Sequence, residues 1–373
     1  MEWKNNLSSM LGIIYPIVQA PMLGITTPEM VAAVSNGGAL GSLPIGNIAP
    51  STARTLIQQV RKLTTKPFAV NVFAYDIPIS PDQTSFDAMQ NMLQGVYTRN
   101  GLGVPPIDLK TLSFFSYKDL LPVLIEEKID IISFTFGIPD AAGVSLLKQS
   151  NAKLIGTATS LEEAVLLEQR GMDVIVAQGI EAGGHRGSFL ADSFPQVGVM
   201  ALVPQIVDRV KVPVIAAGGI VDGRGVAAGL MLGASGVQPG SAFLLCNESQ
   251  ATGAHKAAIA AATDTTTRLT RAFSGRWARG LTNTLIAAVE DANVDILPYP
   301  YQDALTQPAR KASREQDNPS FVAMWAGQAA GLAKERLGAA EILQQMISQT
   351  EQLIPSLAAT TNNAAAGSPG NHS

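Results

Sequence analysis

The sequence is poor in the residues that would mark it as secreted, metal-clustered or nucleic-acid-binding. Its 373 residues include one cysteine, Cys246, which excludes an intramolecular disulfide and leaves a thiolate metal cluster without ligands. Cys246 follows Leu244 and Leu245 and reads as a small buried hydrophobe, not a nucleophile. Charged residues make up 15% of the chain, with 26 basic against 30 acidic side chains and a net charge of -4. No basic stripe offsets that balance, so a nucleic-acid surface is not expected. No apolar run reaches the ~20 residues a membrane-spanning helix needs. Met1 to Ser9 lack a basic region followed by an apolar core, so no secretory signal is expected and a cytoplasmic location is the default. What is abundant is apolar residues, 46% of the chain, enough for a large core.

Short apolar runs alternate with helix-like segments from the start, the pattern of parallel β/α architecture. Eight strands are expected near Pro16–Ala20, Ala39–Leu43, Phe68–Val72, Asp130–Phe134, Lys153–Thr157, Val174–Ala177, Val214–Ala217 and Gly236–Gln238. That number predicts an α/β fold of the (β/α)8 TIM-barrel type, with an insertion after strand three and a C-terminal helical extension. Ser160-Leu161-Glu162-Glu163 has the spacing of a capping box, and Asp222-Gly223-Arg224 opens another helix.

The interval from Asp76 to Lys118 holds Pro78, Pro81, Pro105 and Pro106 and is too long for a simple crossover; it is expected as a partial lid. Phe321–Leu337 and Ala339–Ile354 read as two terminal helices, and Ala358–Ser373 as a mobile tail. The expected organisation is a barrel over residues 1–263 with 320–357, a substrate-side segment over 264–319 and a disordered tail over 358–373.

Val174 to Gly187 passes from an apolar strand directly into a glycine-rich loop with one histidine, His185, at the mouth of the barrel. Two later strands also end in glycine, at Gly218-Gly219 and at Gln238-Pro239-Gly240-Ser241. Loops at those places in a barrel can present backbone amides to a phosphate, although glycine at a strand end also serves merely to turn the chain. Ala20-Pro21-Met22 ends the first strand with small and apolar residues where a flat ring could lie, and Asn71 and Gln178 could read the edge of a heterocycle. These residues ring one opening and point to a phosphorylated ring cofactor. Of three histidines, His255 lies in an Ala-rich helix and His372 in the tail, which leaves His185 as the catalytic candidate. An imidazole with an ordinary pKa near ~6.5 can exchange a proton at neutral pH; a loop histidine that bonds backbone is the other reading. Arg186 beside it fits an anion stabiliser or a surface ion pair. Arg271 to Gly280 fits a packed functional loop or a solvated basic turn.

These motifs resemble the nitronate monooxygenase family, FMN-dependent TIM barrels, from about Leu11 to Gly331. The most specific are Gln178 to Gly187, Ala216 to Ile220 and Gln238-x-Gly-Ser, supported by Pro16 to Met22, Asn71 and Ser133 to Gly137. The resemblance implies FMN contacts at Ala20, Pro21, Met22, Asn71, Gln178, Gly183 and Gly219 and at Gln238, Pro239, Gly240 and Ser241, with the phosphate on the last two loops, which include Gly218. It implies that His185 is the active-site base or positions the substrate. The implied partners are a small-molecule nitronate and dioxygen, with no nicotinamide consumed, and detoxification is the implied role. Tyr299 and Tyr301 are present in the C-terminal segment, but Lys311 does not match the Tyr and Lys spacing of some bacterial members, which leaves the substrate open. FMN-dependent enoyl-acyl-carrier-protein reductases share the Glu-Ala-Gly-Gly-His loop and are the nearest alternative. Flavin-dependent quinone reductases and a non-catalytic FMN or phosphometabolite carrier are the others. Apolar faces of the C-terminal helices could pack on the barrel or form a homodimer.

Overall fold

The computed structural model describes residues 2–190 and 194–366, with side chains through residue 354. Its main sheet is built from β1 (Gly41–Gly46), β2 (Phe68–Phe73), β3 (Ile131–Thr135), β4 (Lys153–Ala158), β5 (Val174–Gln178), β7 (Val214–Ala217) and β8 (Gly236–Val237), paired in that order. Between β5 and β7 the chain adds β6 (Gly184–His185), which belongs to a second sheet. Each adjacent pair in the main sheet is parallel. Apolar runs buried on both faces produce this arrangement, since a parallel sheet is covered on one side by helices and on the other by itself.

The sheet closes through Ile17 and Val18, which bridge in parallel to Val237 and Leu40. Val18 N–H donates to Val237 O at 2.8 Å and Leu40 N–H to Ile17 O at 2.9 Å. The (β/α)8 barrel is therefore present, with its first strand reduced from the expected Pro16–Ala20 to two bridging residues. Pro16 and Pro21 bound this segment, and neither has an N–H to extend a ladder.

Alternation along the strands separates two cores. Val174 and Val176 join Val18, Leu40, Ala69 and Ile215 inside the barrel, whereas Ile175 and Ala177 join the outer core under the helices. Helix Asn6–Leu11 places Leu7 and Leu11 in the inner core. Asn5 caps that helix and its Nδ2 donates to Ser235 O at 2.7 Å, next to the start of β8.

A further hydrophobic cluster lies beyond β2. Helix Gln83–Arg99, from the insertion, contributes Phe86, Met89, Leu93 and Val96, which pack with Phe273, Leu285, Ile286 and Leu305. The insertion and the segment after residue 264 thus share one core. β9 (Thr267–Thr270) and β10 (Ala278–Leu281) lie beside β6 in a three-stranded antiparallel sheet of order β6-β10-β9.

Three expectations need correction. Phe321–Leu337 is not a helix: its middle runs extended along β10, with Leu281 N–H donating to Met324 O at 2.9 Å and Ala326 N–H to Arg279 O at 3.3 Å. Pairing with the strand outweighs helical periodicity there; only the short turn Gln328–Leu332 is helical, of the 3-10 type. At residue 160 the Ser160 side chain caps its helix, but Glu163 does not reach back to close a box. Its carboxylate is buried and accepts instead from Thr159 and the Phe189 amide. The last helix spans Ala339–Ala366 and so enters the expected tail, where Ala358, Ala359 and Ala364 favour helix. Residues 367–373, with His372, lie outside the described residues.

Candidate active site

The loop after β5 is organised by the residue that ends the strand. Gln178 Nε2 donates to His185 O at 3.0 Å, and its Oε1 accepts from Gly187 N–H at 2.8 Å, so one amide folds the glycine loop back on itself. This commits Gln178 to the loop backbone. Arg186 is 1% exposed and makes no ion pair among the described residues. Its guanidinium donates to the carbonyls of Gly179 and Gln178, and burial brings its pKa down to about 10. Its own N–H donates to Trp277 O at 2.8 Å, and His185 pairs with Ala278 of β10. The loop is therefore held from two sides. Gly183 is required by packing, since a Cβ there would lie 2.4 Å from Gly327 N. Gly184 has φ 71° and no atom within 4 Å of its Cβ position, so it borders open space.

His185 projects between two rings, Phe136 and Trp325, each with its centroid 5.4 Å from the imidazole. Its Nε2 lies 2.7 Å from Ser274 Oγ. Burial first, and then the charges of Arg276 and Arg310, hold its pKa down to about 3. The imidazole is neutral at physiological pH, with one nitrogen donating and one accepting.

Beside it stands an aromatic cage of Phe73, Tyr75, Phe136 and Tyr299. Phe136 follows β3 in the left-handed region, φ 75°, a conformation a phenylalanine adopts only where its surroundings enforce it. The next residue must be glycine, because a Cβ on Gly137 would lie 2.2 Å from Ala74 O. Arg276 lies over the Phe136 face, 4.2 Å from its centroid. Asn47 Nδ2 donates to the Tyr75 hydroxyl at 3.4 Å. Burial raises the pKa of both Tyr75 and Tyr299, which keeps the phenols protonated at neutral pH.

The other expected residues form the floor and rim. Gly218 and Gly219 have φ 116° and 71° after β7, and the helix Gly223–Met231 starts four residues on with Asp222 as its cap. A Cβ on Gly219 would meet nothing nearer than Glu181 Cβ at 3.7 Å. Ala20 N–H donates to Pro239 O at 2.9 Å, which joins the first strand's end to the loop after β8. In that loop, a Cβ on Gly240 would lie 3.3 Å from Ala20 Cβ and 4.0 Å from Met22 Sδ, and Ser241 Oγ accepts from Gly327 N–H at 2.9 Å. Asn71 is 3% exposed and its Nδ2 donates to Ser133 Oγ at 3.0 Å and Thr135 Oγ1 at 3.2 Å, inside the barrel. Left-handed glycines with open space at Gly184 and Gly219 suit close approach of a phosphorylated ligand.

The sequence matches the family described as nitronate monooxygenase over residues 4–349. The chain belongs to the nitronate monooxygenase family. Members of this family are flavin-dependent oxidoreductases that act on a small molecule and dioxygen. A protein of Staphylococcus aureus strain Newman named "Probable nitronate monooxygenase" is 44% identical over 356 residues, covering 94% of this chain and 98% of that one. Among solved structures, the nitroalkane oxidase of Streptomyces ansochromogenes is 33% identical with TM-score 0.83, over 95% of this chain and 100% of that one. FabK from Thermotoga maritima is 28% identical with TM-score 0.76, over 96% and 99%. No helix among the described residues is long and apolar enough to cross a membrane. No group of histidine, cysteine and acidic side chains among the described residues could hold a metal ion. Cys246 is fully buried and its pKa is raised to about 12 by burial, as suits a packing role.

The sequence leaves Arg271 to Gly280 between two readings; the structure packs it against His185 and Phe136 through Ser274 and Arg276. Sequence reasoning missed Tyr75 and Trp325. Neither stands near a glycine loop in the chain, and only folding brings them to His185 and Phe136.

Proposed function

We propose that this chain is an FMN-dependent nitronate monooxygenase that converts alkyl nitronates and dioxygen to carbonyl compounds and nitrite, with detoxification as its role. The residues present fit the cofactor: Gly218, Gly219 and Gln238 to Ser241 would hold the phosphate, and Ala20, Pro21, Met22 and Asn71 would border the ring. Gly183 and Gln178 would act indirectly, by shaping the histidine loop. FMN bound there supplies redox chemistry that accepts electrons from an organic anion and passes them to dioxygen. The segment over residues 264–319 would form the substrate side, since it supplies Ser274, Arg276 and Tyr299.

The observation that carries the reading is the placement of His185, fixed by Ser274 between the Phe136 and Trp325 rings and beside an arginine. An imidazole with a pKa of about 3 is a poor base for pulling a proton from the carbon of a neutral nitroalkane. It is well suited to donating a hydrogen bond to an oxygen of a substrate that arrives already ionised. The nitronate is that ionised form. Tyr75, Phe136 and Tyr299 keep water away from the alkyl part.

Nitrite release matched by oxygen uptake, with propyl-2-nitronate and no nicotinamide, tests this reading. Turnover that requires NADH or NADPH would place the chain with the flavin-dependent reductases instead.

A further inference from the structure

Among the described residues Arg276 is a cation without a counter-ion. Besides Phe136, it lies 5.7 Å from the Tyr75 ring centroid and 5.8 Å from that of Tyr299. These rings are buried, whereas Arg276 and His185 both retain some accessible surface. Among the described residues no carboxylate lies within ion-pair distance of Arg276. Asp303, the acidic group that acts on both tyrosines, is held by Arg310 at 2.7 Å. Arg276 Nε is buried with no hydrogen-bond partner among the described residues. Aromatic faces offset only part of the cost of burying a guanidinium, and an anion would offset the rest. Phe136 sets the relation between the two polar groups: Arg276 lies over its face while His185 meets it at 89°.

We propose that Arg276 is the anion receptor of the substrate pocket, pairing with the two oxygens of a planar nitronate and selecting the ionised substrate over the neutral nitroalkane. The planar fork of a guanidinium matches a planar O–N–O edge with two parallel hydrogen bonds. The proposal rests on the nitronate-oxidising reading above and specifies how that site chooses its substrate.

Inorganic nitrate, planar and singly charged, is the probe. Its binding to the holoenzyme is followed by flavin absorbance and tryptophan emission, beside KM for propyl-2-nitronate. In the wild type, nitrate binds and competes with nitronate; Arg276→Met raises its dissociation constant and the nitronate KM by about tenfold or more. The ratio of kcat/KM for nitronate over nitroalkane falls with it. Nitrate affinity equal in wild type and variant would overturn the proposal. Should Arg276→Met lose its flavin, Arg276→Lys, which keeps the charge but not the fork, decides: at least about threefold weaker nitrate binding supports the assignment, and unchanged affinity overturns it. If nitronate is not oxidised while nitrate binding still depends on Arg276, the reaction assignment falls and the anion site stands.

Discussion

His185 Nε2 and Ser274 Oγ lie 2.7 Å apart although 89 residues separate them in the chain. The contact joins the loop after β5 to the loop between β9 and β10, and β6 pairing with β10 sets its register. The imidazole's orientation is thus fixed by the second sheet, while the barrel fixes its position.

Ser274→Ala removes that orientation without touching the glycine cradle. The expected result is a kcat lower by roughly two- to tenfold, the worth of one hydrogen bond, with unchanged flavin content. The pH profile of kcat/KM should shift with it. A loss of stability alone, with kcat and profile intact, would make the contact structural only.

Glycines of the two kinds should fail differently. Gly219→Val meets no close atom in the protein but forces a branched residue to φ 71° beside the cradle, so flavin occupancy should fall while the chain still folds. Gly183→Ala drives a methyl into the backbone at Ala326 and Gly327 and should lower the melting temperature first. Flavin content by absorbance and Tm by calorimetry separate the two; full occupancy in Gly219→Val would remove that residue from the cradle.

Much of this architecture was legible because its signals are local. A buried parallel strand announces itself as an apolar run, and β7 falls at the expected Val214–Ala217. The cage was not legible, because its rings come from the ends of β2 and β3 and from residue 299, and nothing local distinguishes Arg276, which lies over them, from a solvated arginine. Asn71 and Gln178 show a related difficulty: a polar residue at a strand end looks the same whether it faces a ligand or its own backbone.

Glu163 anchors the chain that follows the histidine loop. Its buried carboxylate accepts from Thr159 N–H at 2.6 Å, Thr159 Oγ1 at 2.8 Å, Phe189 N–H at 2.6 Å and Leu190 N–H at 3.2 Å. Glu163→Gln replaces one acceptor oxygen by an amide donor facing other donors, at a cost of about 1–3 kcal/mol in urea denaturation. A change below ~0.5 kcal/mol would show that the anchor is dispensable.

His255 links stability to pH. It is 1% exposed, its Nε2 has no partner among the described residues, and burial holds its pKa at about 4. Arg314 and Lys256 also disfavour its charged form, while a hydrogen bond with the Trp325 backbone favours it. Unfolded, the imidazole titrates near ~6.5. Below that pH the unfolded chain binds a proton that the folded chain refuses, so stability is full above ~6.5 and declines toward pH 4. Between pH 7 and 4.5 the wild type should lose about 2–3 kcal/mol more than His255→Leu. Equal losses would contradict the account; His185 is present in both proteins and cancels.

The most direct test of the central claim is anaerobic mixing of the flavin-loaded protein with propyl-2-nitronate, and separately with NADH and NADPH, while the flavin absorbance is followed. Bleaching by nitronate alone, followed by nitrite on admission of air, is the result this account predicts. Bleaching by a nicotinamide with none by nitronate would contradict it.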